Sequence, residues 1–117
     1  MHYGNQEDIT FLNTVNSAIG YFDIIIDDGG HSMKQQITSL IHLFPKVRSG
    51  GVYVIEDLHT SYFSDADSGY LVNTTTIEFI KRLIDDIQAE SPRKSTEIGP
   101  TMFSFEISNK ICIINKK

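Results

Sequence analysis

Several things are scarce in this sequence. It has one cysteine, Cys112, so no disulfide can form within the chain. That residue falls in an apolar, strand-like run and reads as a small core side chain. No apolar stretch is long enough to span a bilayer, and the first ten residues, MHYGNQEDIT, carry no apolar signal region. No membrane partner is expected, and the cytoplasm is the expected location. Basic charge is low: ten Lys and Arg stand against fifteen Asp and Glu, for a formal net charge of −5. No basic stripe offsets the acids, and the Asn115-Lys116-Lys117 end is too short to make one, which excludes nucleic acid as a partner. There is no G-x-G-x-x-G, no Walker pattern, and no Ser or Cys nucleophile motif. What remains is 117 residues, 40% of them apolar, the size of one compact domain.

Two stretches stand out. Phe22 to His31 reads FDIIIDDGGH, and Gly50 to Asp57 echoes it as GGVYVIED. Each is an apolar run ending in two acids. Unbroken β-branched runs predict strands covered on both faces, as in a parallel sheet. The chain between them is long enough for one crossover helix. Parallel neighbours bring their C-terminal ends together, so Asp27, Asp28, Glu56 and Asp57 are expected in one small volume, with His31 above them. Open α/β sheets bind ligands at that edge. Oxygen donors without thiolates suit Mg²⁺, Mn²⁺ or Ca²⁺ rather than zinc. The same acids could instead only cap the helices that follow both strands. His31, past two glycines, can lean over this edge as a base, or merely donate to a carboxylate.

The remaining elements follow from caps and periodicity. Asp8 caps a helix to about Ile19, with Phe11, Leu12, Val15, Ala18 and Ile19 on one face. Ser32 and Gln35 form a capping box. A helix carrying Met33, Ile37, Leu40, Ile41 and Phe44 is expected to end near Val47, with a tighter turn at Pro45 and a stop at Ser49-Gly50-Gly51. A strand over 51–55 follows. Leu58 to Tyr70 is polar and expected to overhang the site. Thr75 and Glu78 predict a second capping box, opening a helix with Ile77, Ile80, Leu83, Ile84 and Ile87 inward. Glu90 to Pro100 reads as a linker. Met102 to Ile107 and Lys110 to Ile114 read as a hairpin turning at Ser108-Asn109.

FDIIIDDGGH, followed by LFPKVRSGGVYVIEDLHTSY, resembles the C-terminal part of the class I S-adenosylmethionine-dependent methyltransferases. Within them it is most similar to the metal-dependent sugar O-methyltransferases of the macrolide type, the mycinamicin and macrocin enzymes. Those carry an IDDGSH strand end, a GG-(L/I)-YVIEDL strand and a following T-S-Y. The resemblance spans roughly Gly4 to Tyr62 well and the rest in outline.

The resemblance implies an α/β fold: a truncated Rossmann-like sheet of two parallel strands plus a C-terminal antiparallel hairpin, with helices packed on it. It implies Asp28, Glu56 and Asp57 as Mg²⁺ ligands and His31 as the base that takes a proton from a sugar hydroxyl. Asn5, Gln6 and Asp27 would lie beside the S-adenosylmethionine. Thr60, Ser61 and Tyr62 match the segment that begins the family's substrate loop, and His59, by its own place in that loop, could touch the small-molecule hydroxyl substrate. Two departures are local: Gly30 stands where the family has Ser, and Asn5 where it has Asp. The larger departure is the lack of the family's glycine-rich cofactor strands, so residues 1–117 are expected to form a single partial domain. The strand over 23–27 is then an exposed edge, and a homo-oligomer through it is expected. The alternative is a non-catalytic methyltransferase-like domain that keeps the metal site. A receiver-like phosphoacceptor would also use a strand ending IIIDD. The second acidic strand end, and no clear Thr and Lys at later strand ends, count against it.

Overall fold

A computed structural model describes residues 1–65, 67–89 and 96–117. Helix α1 (Ile9–Ile19) starts where Asp8 accepts from the amides of Thr10 and Phe11, and stops at Gly20. Strand β1 (Phe22–Asp27) follows. Helix α2 (Met33–Leu43) opens on the Ser32–Gln35 capping box. Pro45 cannot continue an α-helix, and Phe44–Lys46 tighten into a 3-10 turn, as the sequence predicts. Strand β2 (Val47–Ile55), a 3-10 turn at Leu58–Tyr62, helix α3 (Thr76–Gln88), and strands β3 (Met102–Ser108) and β4 (Ile111–Lys116) complete the order. Among the described residues no helix is long and apolar enough to cross a membrane.

The four strands lie in the order β1-β2-β4-β3, with β1 parallel to β2 and the two remaining pairings antiparallel. This is the expected sheet. The hairpin turns one residue later than expected, with Lys110 at φ 67. Strand β2 begins earlier than predicted. The expected stop at 49–51 lies within the strand, where β2 advances from Val47 to Val52 while β1 advances only from Phe22 to Ile24. The surplus bulges outward. Gly50 takes φ 79, and a Cβ on Gly51 would run into the backbone oxygen of Asp23, so only glycine fits there.

The core sits on one face of the sheet. Tyr53, Ile55, Cys112 and Ile114 point into it and meet Leu40 and Phe44 of the α2 segment and Phe79, Ile80 and Leu83 of α3. Each such fully buried side chain contributes about 1.5–3 kcal/mol. Cys112 is buried and its thiol is pushed up to about 12 by desolvation, consistent with a core role.

Three packing expectations are corrected. First, β1 is covered on one face only. Ile25 packs on the core, but Ile24 and Ile26 are 60% and 61% exposed. Helix α1 packs on α2, tied by Asn16 Nδ2 donating to the His42 carbonyl at 3.1 Å, and does not shield them. Second, α1 buries Leu12 and Asn16 and leaves Ala18 and Ile19 exposed. Third, α3 buries Thr76, Phe79, Ile80 and Leu83 and leaves Ile84 and Ile87 exposed. The buried set is itself an i, i+3, i+4, i+7 stripe, and the large Phe79 ring turns the helix toward it. The Thr75 hydroxyl caps α3 through the Glu78 amide, whereas the Glu78 carboxylate pairs with Lys81. The expected linker falls largely on residues 90–95, which lie outside the described residues.

Candidate metal centre

The pairing of β1 with β2 sets the site. Asp27 pairs with Ile55, so the two acidic pairs are out of step by one residue. Asp27 is still inside its strand, while Asp57 is already past the end of β2. The Glu56 amide donates to the Asp27 carbonyl at 3.1 Å, and the Leu58 amide donates to the Lys110 carbonyl at 3.0 Å. Between them Asp57 adopts a left-handed backbone, φ 56, which Asp tolerates better than most residues.

Asp28, His31 and Asp57 converge. One ligand atom from each lies within 4.8 Å of the others. His31 Nε2 is 3.4 Å from Asp57 Oδ2, and His59 Nδ1 is 4.0 Å from Asp57 Oδ1. The two carboxylates at this partly solvated edge suit a hard divalent cation such as Mg²⁺ or Mn²⁺, and the imidazole stands beside them, placed to accept a proton. The other two predicted acids are placed differently. Asp27 lies on the core face, where it accepts from Tyr53 Oη at 3.1 Å, Gln6 Nε2 at 3.3 Å and the Gly29 amide at 3.4 Å. Desolvation raises its pKa, against the lowering effect of those hydrogen bonds and of His31. The same burial, together with the Asp27 charge, pushes Tyr53 well above the usual phenol range. Glu56 stands outside the converging group. Its backbone is fixed at both ends, by the Asp27 carbonyl and by Gln36 Nε2, which donates to the Glu56 carbonyl at 3.3 Å. Its side chain is half-buried.

Two cavities flank the cluster. One, of about 370 Å³, is lined by Gln6, Asp27, Asp28, Gly29, Ser39 and Tyr53, among others. Gln6 shapes it: Ser39 donates to its carbonyl and its side-chain oxygen accepts from the Gly30 amide, so a Cβ on Gly29 would overlap that oxygen. Of the predicted cofactor residues, Gln6 and Asp27 line this cavity. Asn5 does not; it makes the turn before α1, accepting from Glu7 and Asp8.

The second cavity, of about 290 Å³, is lined by His31, Ser32, Met33, Thr60, Phe63, Asp65, Asp67 and Ser68. Of the predicted substrate residues, Thr60 lines it. His59 lies edge-on to Phe63, and Tyr62 stacks on Tyr70 at 6.3 Å. Phe63, Asp65, Asp67 and Ser68 were not singled out from the sequence. Their only signal there is membership of the polar stretch after an acidic strand end.

No protein-family model matches the chain. Among curated proteins, it is 36% identical over 97% of its length to a 3'-O-methyltransferase acting on 8-demethyl-8-(2-methoxy-alpha-L-rhamnosyl)-tetracenomycin-C, from Streptomyces olivaceus, and covers 31% of that protein. It is 43% identical over 73% of its length to mycinamicin VI 2''-O-methyltransferase from Micromonospora griseorubida, covering 22% of it. Among solved structures, it superposes on the MycE methyltransferase of mycinamycin biosynthesis, in complex with Mg, SAH and mycinamycin VI. The TM-score is 0.87 and the identity 34%, over 97% of this chain and 30% of that one. The chain thus spans about a third or less of the length of these relatives. Its homologues are sugar O-methyltransferases of the mycinamicin, macrocin and tetracenomycin type, and its fold matches the corresponding part of MycE.

Proposed function

We propose that this chain carries the metal-binding and acceptor-activating part of a Mg²⁺-dependent, S-adenosylmethionine-dependent O-methyltransferase for a sugar or related hydroxyl compound. The observation that carries the reading is the Asp28–His31–Asp57 cluster between two cavities, with Asp28 lining one and His31 the other. Asp28 and Asp57 would hold the ion, joined by the Glu56 carboxylate once its side chain turns in. Bound Mg²⁺ would supply Lewis acidity that lowers the pKa of the acceptor hydroxyl. His31 takes that proton on a ring nitrogen, and Asp57, 3.4 Å away, stabilises the imidazolium. Gln6 and Asp27 wall the cavity for the methyl donor, and His59, Thr60 and Tyr62 stand on the acceptor side.

Calorimetric titration of S-adenosylhomocysteine into the chain, with and without Mg²⁺, tests this. Binding that tightens with Mg²⁺ is expected. A second reading, a domain that holds metal but transfers no methyl group, rests on the same Asp28–His31–Asp57 cluster. It predicts that Mg²⁺ alone raises Tm while S-adenosylhomocysteine does not bind. The bare β1 face, with Ile24 and Ile26 exposed, supports self-association through residues 23–27. A monomer in dilute solution by sedimentation would count against that part.

A further inference from the structure

We propose that Thr60 is a positioning residue: its hydroxyl clamps the segment after β1 to the segment after β2 and so sets the spacing at which Asp28, His31 and Asp57 meet. The inference rests on the metal-centre reading and deepens it. The converging donors come from two strand ends, and the backbone bond from Glu56 to Asp27 is the last rung between the strands. Beyond it, Thr60 Oγ1 lies 3.1 Å from the His31 carbonyl and 3.0 Å from the Asp57 carbonyl. One hydroxyl proton is shared between the two, and the Thr60 amide also donates to Asp57 at 3.1 Å. Thr60 is only 8% exposed, so water is poorly placed to substitute for it.

A clamp works only if it is itself fixed, and this one is. The 3-10 turn carrying Thr60 buries Leu58 and Ser61. The Ser61 hydroxyl accepts from the Ile77 amide in the first turn of α3 at 3.3 Å and donates to Met33 Sδ of α2 at 3.4 Å. A parallel chain runs from Thr76 Oγ1 to Gln36 Oε1 at 2.7 Å, and from Gln36 Nε2 to the Glu56 carbonyl. The two core helices are thereby tied to the 3-10 turn and to the end of β2 through buried polar groups. The Thr60 hydroxyl is committed to backbone carbonyls, so it serves the centre's geometry rather than recognition of an acceptor. Groups that orient metal ligands from outside the coordination sphere commonly matter by factors of 10–100 in affinity.

The test compares wild type, T60V and T60S in the full chain. Mg²⁺ affinity is read by calorimetry, and the His31 Nε2 to Asp57 Oδ2 separation from crystals grown without metal. T60V is expected to weaken Mg²⁺ about tenfold and to widen the separation, while T60S keeps both. As a control, T96V removes a hydroxyl bond to Asp86 far from the centre and should lower Tm without changing Mg²⁺ affinity. Unchanged affinity or unchanged separation in T60V overturns the clamp. If wild type binds no Mg²⁺, the functional reading fails and the metal-free separation alone decides the clamp. If T60V does not fold, the wild-type spectrum decides. A slowly exchanging Thr60 hydroxyl proton seen by NMR supports the clamp, and its absence overturns it.

Discussion

Strands β1 and β2 end in the same way, an apolar run and two acids, yet the two ends do different work. At the β1 end, Asp27 is drawn into the core face and hydrogen-bonded by Tyr53 and Gln6, while Asp28 turns out to the cluster. At the β2 end the order of duties repeats, but the first acid, Glu56, is held through its backbone rather than its carboxylate. The second, Asp57, reaches the cluster only by leaving the strand conformation. The difference comes from a one-residue stagger, since Asp27 sits level with Ile55. Side chains alternate along a strand, so one residue of stagger decides whether an acid faces the core or the solvent edge. Like motifs in a sequence therefore need not be like sites.

Substitutions can sharpen that contrast. The largest effect is expected within the β2 pair. D57N should weaken Mg²⁺ binding about a hundredfold, because it neutralises the carboxylate that joins the cluster and also pairs with His31. E56Q should weaken it about tenfold and leave Tm nearly unchanged, since the strand end uses only the Glu56 backbone. Equal losses in calorimetry would erase the distinction between the two acids.

The next effect is on stability at the β1 end. Y53F leaves the Asp27 carboxylate without the hydroxyl that faces it from a fully buried ring. A loss of about 2 kcal/mol in denaturant unfolding is expected, with little change in Mg²⁺ affinity. A fall in affinity as large as that of D57N would mean that Asp27 acts in the cluster after all.

The smallest effect is a pH dependence. The pKa of Asp27 is raised in the folded state, mainly by burial. The unfolded chain therefore ionises first, and the stability that neutral Asp27 lends is full below its unfolded pKa. It is lost as pH rises through the folded value. Thermal melts should show the Tm of D27N gaining on wild type as pH rises across that window. A flat difference would place Asp27 in a solvated setting.

Much of this was readable from local chemistry. Asp8 and Ser32 cap their helices because a short side-chain oxygen there satisfies amides that a helix leaves free. Pro45 tightens the end of α2 because it lacks an amide proton. Both acidic strand ends, and His31 beside them, follow from the order of residue types. Other features were not readable. The α3 sequence carries two overlapping apolar stripes, and only packing against the sheet chooses the one with Phe79. The loop residues Phe63, Asp65, Asp67 and Ser68 share a cavity with His31 because the 3-10 turn before them meets Met33 at the start of α2 through the Ser61 hydroxyl, which no spacing announces.

The sequence by itself determined where β1 and β2 end, which caps start the helices, and that hard oxygen donors and a histidine gather at one sheet edge. Those properties depend on neighbours a few residues apart. The tertiary structure decided which acids converge, which one is buried against Tyr53, and that Thr60 spans the two strand ends. Those depend on register between strands distant in the chain, and a single-residue shift in register would have exchanged the roles.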